Sequence, residues 1–103
     1  MLYEGMKVVF ADPVLEAIET EDAGKTKLPV SVIKSARRKL TVLRAAGDDR
    51  SLRNWKSLHY EKLKGGREGL RSIRVNDQYR MVLILDETTT PQTVTIIAIE
   101  DYH

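Results

Sequence analysis

The chain uses two hydrophobic periods, and the change between them falls near Ser51. Before it, "MKVVF" (6–10) is short, β-branched and aromatic, which predicts a strand. Asp12 can cap a helix and Pro13 suits a first turn; "PVLEAIET" then supplies Val14, Leu15 and Ile18. The charged loop "EDAGKTK" (21–27) leads to Pro29 and to the strongest helical pattern in the chain, over 30–46. There Val30, Ile33, Ala36, Leu40, Leu43 and Ala46 recur at steps of three and four, with Lys34, Arg37, Arg38 and Arg44 on other sides. Gly47 and the acids after it end that helix.

After Ser51 the period shortens to two. In "SLHYEKL" (57–63), Leu58 and Tyr60 fall on one face and His59, Glu61 and Leu63 on the other. "KGGREG" (64–69) is a loop, "LRSIRV" (70–75) a strand, Asn76-Asp77 a hairpin turn and "YRMVLIL" (79–85) the return strand. "DETTTPQ" (86–92) is a looser turn before the last strand, "TVTIIAIE" (93–100). The order β-α-α-β-β-β, with one further strand, predicts one α+β domain over residues 1–103. Two N-terminal helices would cover one face of a mostly antiparallel sheet. The opposite face is then expected to carry the arginines of the 70–80 hairpin.

Charge sharpens this picture. Residues 34–80 hold 14 Lys and Arg against five acids, a net of +9, whereas residues 1–33 carry −3 and the last 23 residues −4. A basic centre flanked by acidic ends is the electrostatic footprint of a polyanion binder, nucleic acid above all. The chain has no cysteine, which excludes disulfides, thiolate metal sites and a cysteine nucleophile. No long apolar stretch suits a signal peptide or a membrane span, so a cytoplasmic protein with no membrane association is expected.

The segment "LKGGREGLRSIRVNDQYRM", followed at the end by "EDYH", resembles the HigB toxins of the RelE/ParE superfamily. The likeness rests on Leu63-Lys64-Gly65, Arg67-Glu68-Gly69, Ser72-Ile73-Arg74-Val75-Asn76, Tyr79-Arg80 and Asp101-Tyr102-His103, in that order. It implies a small ribonuclease that enters the ribosome and cuts messenger RNA without metal or cofactor. It also implies a cognate antitoxin, commonly a HigA-like helix-turn-helix DNA-binding protein. Two positions depart from the family pattern. Glu61 stands where relatives can carry a catalytic histidine, three residues before the lysine, and Gly66 stands where many carry Asp.

Metal-free RNA cleavage needs a base for the ribose 2′-hydroxyl, a cation for the phosphorane and an acid for the leaving oxygen. Arg80 is the expected phosphate grip, since a guanidinium makes two parallel hydrogen bonds. His59 or Glu61 stands in for the family histidine. His103 could act as acid or base. Asp101 would share a face with His103 if the strand keeps its period, leaving Tyr102 to pack or to stack on a base. Lys62, Lys64, Arg67, Arg71 and Arg74 complete the expected RNA-binding set. The competing classes are a ParE-type inhibitor of DNA gyrase with no nuclease activity, and a degenerate relative that only binds RNA.

Overall fold

The structure, a computed structural model, describes residues 5–102. A five-stranded sheet runs in the order β1-β5-β4-β3-β2. Its strands are β1 (Lys7–Phe10), β2 (Glu61–Lys62), β3 (Arg71–Arg74), β4 (Tyr79–Asp86) and β5 (Thr93–Asp101). β1 pairs with β5 in parallel and every other pairing is antiparallel. The α+β architecture is therefore the expected one. No helix among the described residues is long and apolar enough to cross a membrane.

Helices cover one face. α1 (Pro13–Glu16) is capped by Asp12, whose Oδ1 accepts from the Val14 amide at 2.8 Å. It continues as a 3-10 turn, Ala17–Glu19, and a second such turn spans Ala23–Thr26 within the expected loop. α2 (Val30–Ala45) lays Val32, Ile33, Ala36, Leu40 and Leu43 on the sheet. Val30, assigned to the apolar stripe from the sequence, is 67% exposed because it sits at the first helical position. Val32 takes its place in the core.

A third helix, α3 (Asp49–Asn54), stands where no element was expected. Asp48 caps it by accepting from the Ser51 amide at 2.9 Å, and its one buried residue is Leu52. These helices and the sheet share one core that includes Ile18, Leu40, Leu43, Leu52, Leu58, Ile73, Met81, Leu83, Val94 and Ile96. Burial of each such side chain contributes about 1.5–3 kcal/mol.

Register decides which residues face away from that core. Directly opposed residues share a face, so the pairs Arg74–Arg80, Ser72–Val82 and Arg80–Glu100 belong to the open face. Ile73–Met81, Arg71–Leu83 and Met81–Ile99 belong to the helix face. β5 contains a bulge: Val82 pairs with Ala98 but Leu83 pairs with Ile96, leaving Ile97 as the extra residue. A bulge resets the alternation by one. Val94 and Ile96 point to the core before it, and Ile99 after it. Ala98, Glu100 and Tyr102 consequently emerge on the open face.

Candidate active site

The centre of the open face is Arg80, a charged residue only 8% exposed. Burying a guanidinium is costly unless its donors are satisfied, and here they are met in three directions. Nε donates to Ser72 Oγ at 3.0 Å, and Nη2 to the His59 carbonyl at 2.6 Å. Nη2 also lies 3.4 Å from Glu61 Oε1. The Tyr102 ring stacks against the guanidinium, 5.0 Å from centroid to Cζ. Among the described residues, no hydrogen-bond partner is found for Nη1. Arg80 is thus held rigidly with a donor edge to spare, as binding of an anionic oxygen requires.

A cleft of about 250 Å³ opens beside it, lined by Leu63, Arg67, Ser72, Arg80, Val82, Glu100, Asp101 and Tyr102. Arg67 and Glu100 form an ion pair across the rim at 3.0 Å. An adjoining hollow is bordered by His59, Arg74, Asn76, Asp77, Arg80 and Tyr102. In it Arg74 Nη1 lies 3.3 Å from His59 Nε2, and Arg74 also pairs with Asp77. A guanidinium only donates, so this contact forms when Nε2 offers its lone pair. His59 adopts a left-handed backbone, φ +46°, and that turn aims its carbonyl at Arg80.

The structure therefore gathers Arg80, His59, Glu61, Arg67, Arg74 and Tyr102 on one face. The faces expected for 57–63 hold, with Leu58 buried and Tyr60 against the core, but the extended backbone does not: Lys56–Leu58 is a 3-10 turn, His59 is left-handed, and only Glu61–Lys62 is strand. Three expected RNA-binding residues are elsewhere. Arg71 lies on the helix face, opposite Leu83, and is bound to Asp49 of α3 and to the Tyr60 hydroxyl. That placement corrects the expectation that the hairpin arginines share the open face: a period of two puts Arg71 with Ile73 instead. Lys62, opposite Arg71, and Lys64 border a separate depression with Arg53, Tyr60 and Glu61.

Asp101 edges the cleft, but its register partner is Tyr79 and its Oδ2 accepts from Gln78 Nε2 at 2.8 Å. It is Tyr102 that joins Arg80, turned to the open face by the bulge at Ile97; the Tyr102 amide is tied to the Gln78 carbonyl at 2.6 Å. His103 lies outside the described residues. Ser72 and Glu100 stand in the motifs that carry the resemblance but have no role in the site expected from sequence, although Glu100 stands two before Tyr102 and so shares its face. In the loop, Gly65 and Gly66 take φ +71° and +86° with open space around them. Glycine serves conformation there rather than close approach.

A family match shows what kind of protein carries this arginine-centred cleft on the open face of a helix-backed, mostly antiparallel sheet: a RelE-like toxin. The chain belongs to the HigB family: residues 8–95 match the model described as RelE-like toxin of type II toxin-antitoxin system HigB. It is 36% identical over 77 residues to Toxin HigB-1 of Vibrio cholerae serotype O1 (strain ATCC 39315 / El Tor Inaba N16961), covering 75% of this chain and 81% of that protein. Two solved structures share the fold. YafQ from E. coli strain BL21(DE3) superposes with a TM-score of 0.61 at 8% identity, over 94% of this chain and 93% of that one. The YoeB-YefM complex from Staphylococcus aureus gives 0.54 at 20% identity, over 95% and 97%.

Proposed function

We propose that this toxin is a ribosome-dependent messenger-RNA endoribonuclease of the cytoplasm, neutralised by a cognate antitoxin of the helix-turn-helix, HigA-like kind. One observation carries the catalytic reading: Arg80 is almost fully buried yet pre-oriented by Ser72, His59 and Tyr102, with Nη1 turned to no protein partner among the described residues. A donor fixed before the reaction stabilises developing charge without reorganisation. Membership of a toxin-antitoxin family and the YoeB-YefM complex among its structural relatives support the antitoxin partner.

The ribose 2′-oxygen attacks the adjacent phosphorus while His59 or Glu61 takes the hydroxyl proton. Arg80 holds the non-bridging oxygens of the phosphorane. The bond from phosphorus to the 5′-oxygen then breaks, and a proton from an acid, assigned to His103, passes to that oxygen. A 2′,3′-cyclic phosphate and a 5′-hydroxyl remain. Tyr102 supplies a ring on which a base can stack. Arg67, Arg74, Lys62 and Lys64 contribute the salt-dependent attraction to phosphates.

Induction should arrest growth, and primer extension on a translated message should show new 5′ ends inside codons. Equal cutting of naked, untranslated RNA by the purified protein would overturn the ribosome dependence. Relaxed DNA supercoiling with intact messages would favour gyrase inhibition.

A further inference from the structure

We propose that Asp49, Tyr60 and Arg71 form a clamp on the helix face whose task is to hold His59 and Glu61 against Arg80; they are positioning residues for the site described above, and the proposal rests on that site. The segment that must be held is weakly built. β2 pairs through only two residues, Glu61 with Ser72 and Lys62 with Arg71, at the edge of the sheet. Just before it, His59 occupies a left-handed conformation that a residue with a side chain adopts only at a cost. Yet this residue's carbonyl and the next-but-one carboxylate both meet Arg80.

Tyr60, between them, projects through the other side of the sheet. Its hydroxyl donates to Asp49 Oδ1 at 2.6 Å. Arg71 Nη1 donates to the same carboxylate oxygen and to the Tyr60 hydroxyl, and its guanidinium lies 5.7 Å from the Tyr60 ring centre. Arg53 holds the second carboxylate oxygen at 2.7 Å. Asp49 and Arg71 are 15% and 18% exposed at their side chains, whereas Arg53 is 57% exposed. A network that is mostly screened from water holds its members in one geometry. With Leu58 fully buried on one side, Tyr60 is the second fixed point that a left-handed turn between them requires. α3, the helix with one buried residue, thereby acquires a purpose: it presents Asp49.

The test is Tyr60→Phe, which keeps the ring and removes the hydroxyl, read in two ways. The first uses single-turnover cleavage on saturating ribosome complexes, alone and combined with Arg80→Ala. A clamp predicts about a tenfold loss in the Arg80 background, unchanged ribosome affinity, and less than a twofold further loss once Arg80 is gone. Equal losses in both backgrounds, or no loss, would overturn it. The second does not depend on nuclease activity: the Arg80 Nε–H resonance, set by its bond to Ser72, should shift or broaden in Tyr60→Phe. A lowered melting temperature with that resonance unmoved would show a purely structural cluster and sink the proposal. Asp49→Asn, expected to move the same resonance, replaces Tyr60→Phe if that variant does not fold. Wild-type protein that cuts nothing while the resonance still responds would refute the ribonuclease and leave the clamp standing.

Discussion

Replacing Arg80 by alanine separates its structural role from the catalytic one proposed for it. As a structural group it satisfies the Ser72 hydroxyl, 1% exposed, and the carbonyl of the exposed His59. Losing the partner of one buried hydroxyl costs about 1–3 kcal/mol. The Glu61 contact adds little, because that carboxylate is 50% exposed and screened. A melting temperature lower by roughly 4–8 °C for each kcal/mol lost is expected in a chain of this size. In the proposed catalytic role it would supply fixed donors to the phosphorane, and removing such a donor costs about 10²–10³ in rate, or about 2.7–4 kcal/mol.

Arg80→Lys distinguishes these jobs further. An ammonium can reach Ser72 or the His59 carbonyl and restore part of the stability, but it cannot keep those bonds and also offer a planar second edge to the phosphate. It should therefore recover melting temperature more than rate. The assay is a single-turnover time course on ribosome complexes at saturating toxin, beside a urea melt of each variant. If folded Arg80→Ala, bound at saturation, cleaves within threefold of wild type, the phosphate-grip assignment is wrong. If only its ribosome affinity falls, Arg80 is a docking residue.

Tyr102→Phe should keep its rate within threefold, since ring and guanidinium stack without the hydroxyl, whereas Tyr102→Ala should lose tenfold or more in the same time course. Deleting Tyr102 and His103 should abolish growth arrest while costing about 1 kcal/mol or less by thermal melt, because Tyr102 is 59% exposed. Lys64→Ala should weaken ribosome binding and reduce the salt slope by about one; Arg71→Ala should leave that slope alone and lower stability by about 2 kcal/mol in a urea melt. Burial, and then Asp49 beside it, push the Tyr60 phenol up to about 12. An unfolded tyrosine releases its proton near pH ~10, so the folded state binds more protons between those values. The stability gap between wild type and Tyr60→Phe should be complete below about pH 10 and shrink as pH rises to about 12, which urea melts across that range would check.

How legible each element was depended on how much side chain it buries. α2 could be read because Leu40 and Leu43 are fully buried and impose their period; over 57–63 the buried Leu58 marked the right face, but it closes a 3-10 turn, and no period of two runs through the left-handed His59. α3 could not, since one apolar residue in six has no period; its only signal was Asp48 as a cap, three residues before Ser51. Arg71 leaves the expected open face because alternation, not charge, sets its side: Ile73 fixes the face, and a long guanidinium can leave the core side by reaching an edge where Asp49 waits.

The end of β5 is the sharpest case. A strict period of two from Val94 and Ile96 would turn Ala98, Glu100 and Tyr102 towards the helices, and Ile99 with Asp101 towards Arg80. That register would press the Glu100 carboxylate towards an apolar core, at a cost no local ion pair offsets, and would leave Ile99 on the open face. Inserting Ile97 as a bulge resolves both faults at once: Ile99 returns to the core, and Glu100 reaches Arg67. The step of three from Ile96 to Ile99, with a charge just after it, is the mark of that bulge in the sequence. The same one-residue shift delivers Tyr102 to the face of Arg80. The packing preference of one isoleucine thus sets Tyr102, rather than Asp101, against the Arg80 guanidinium.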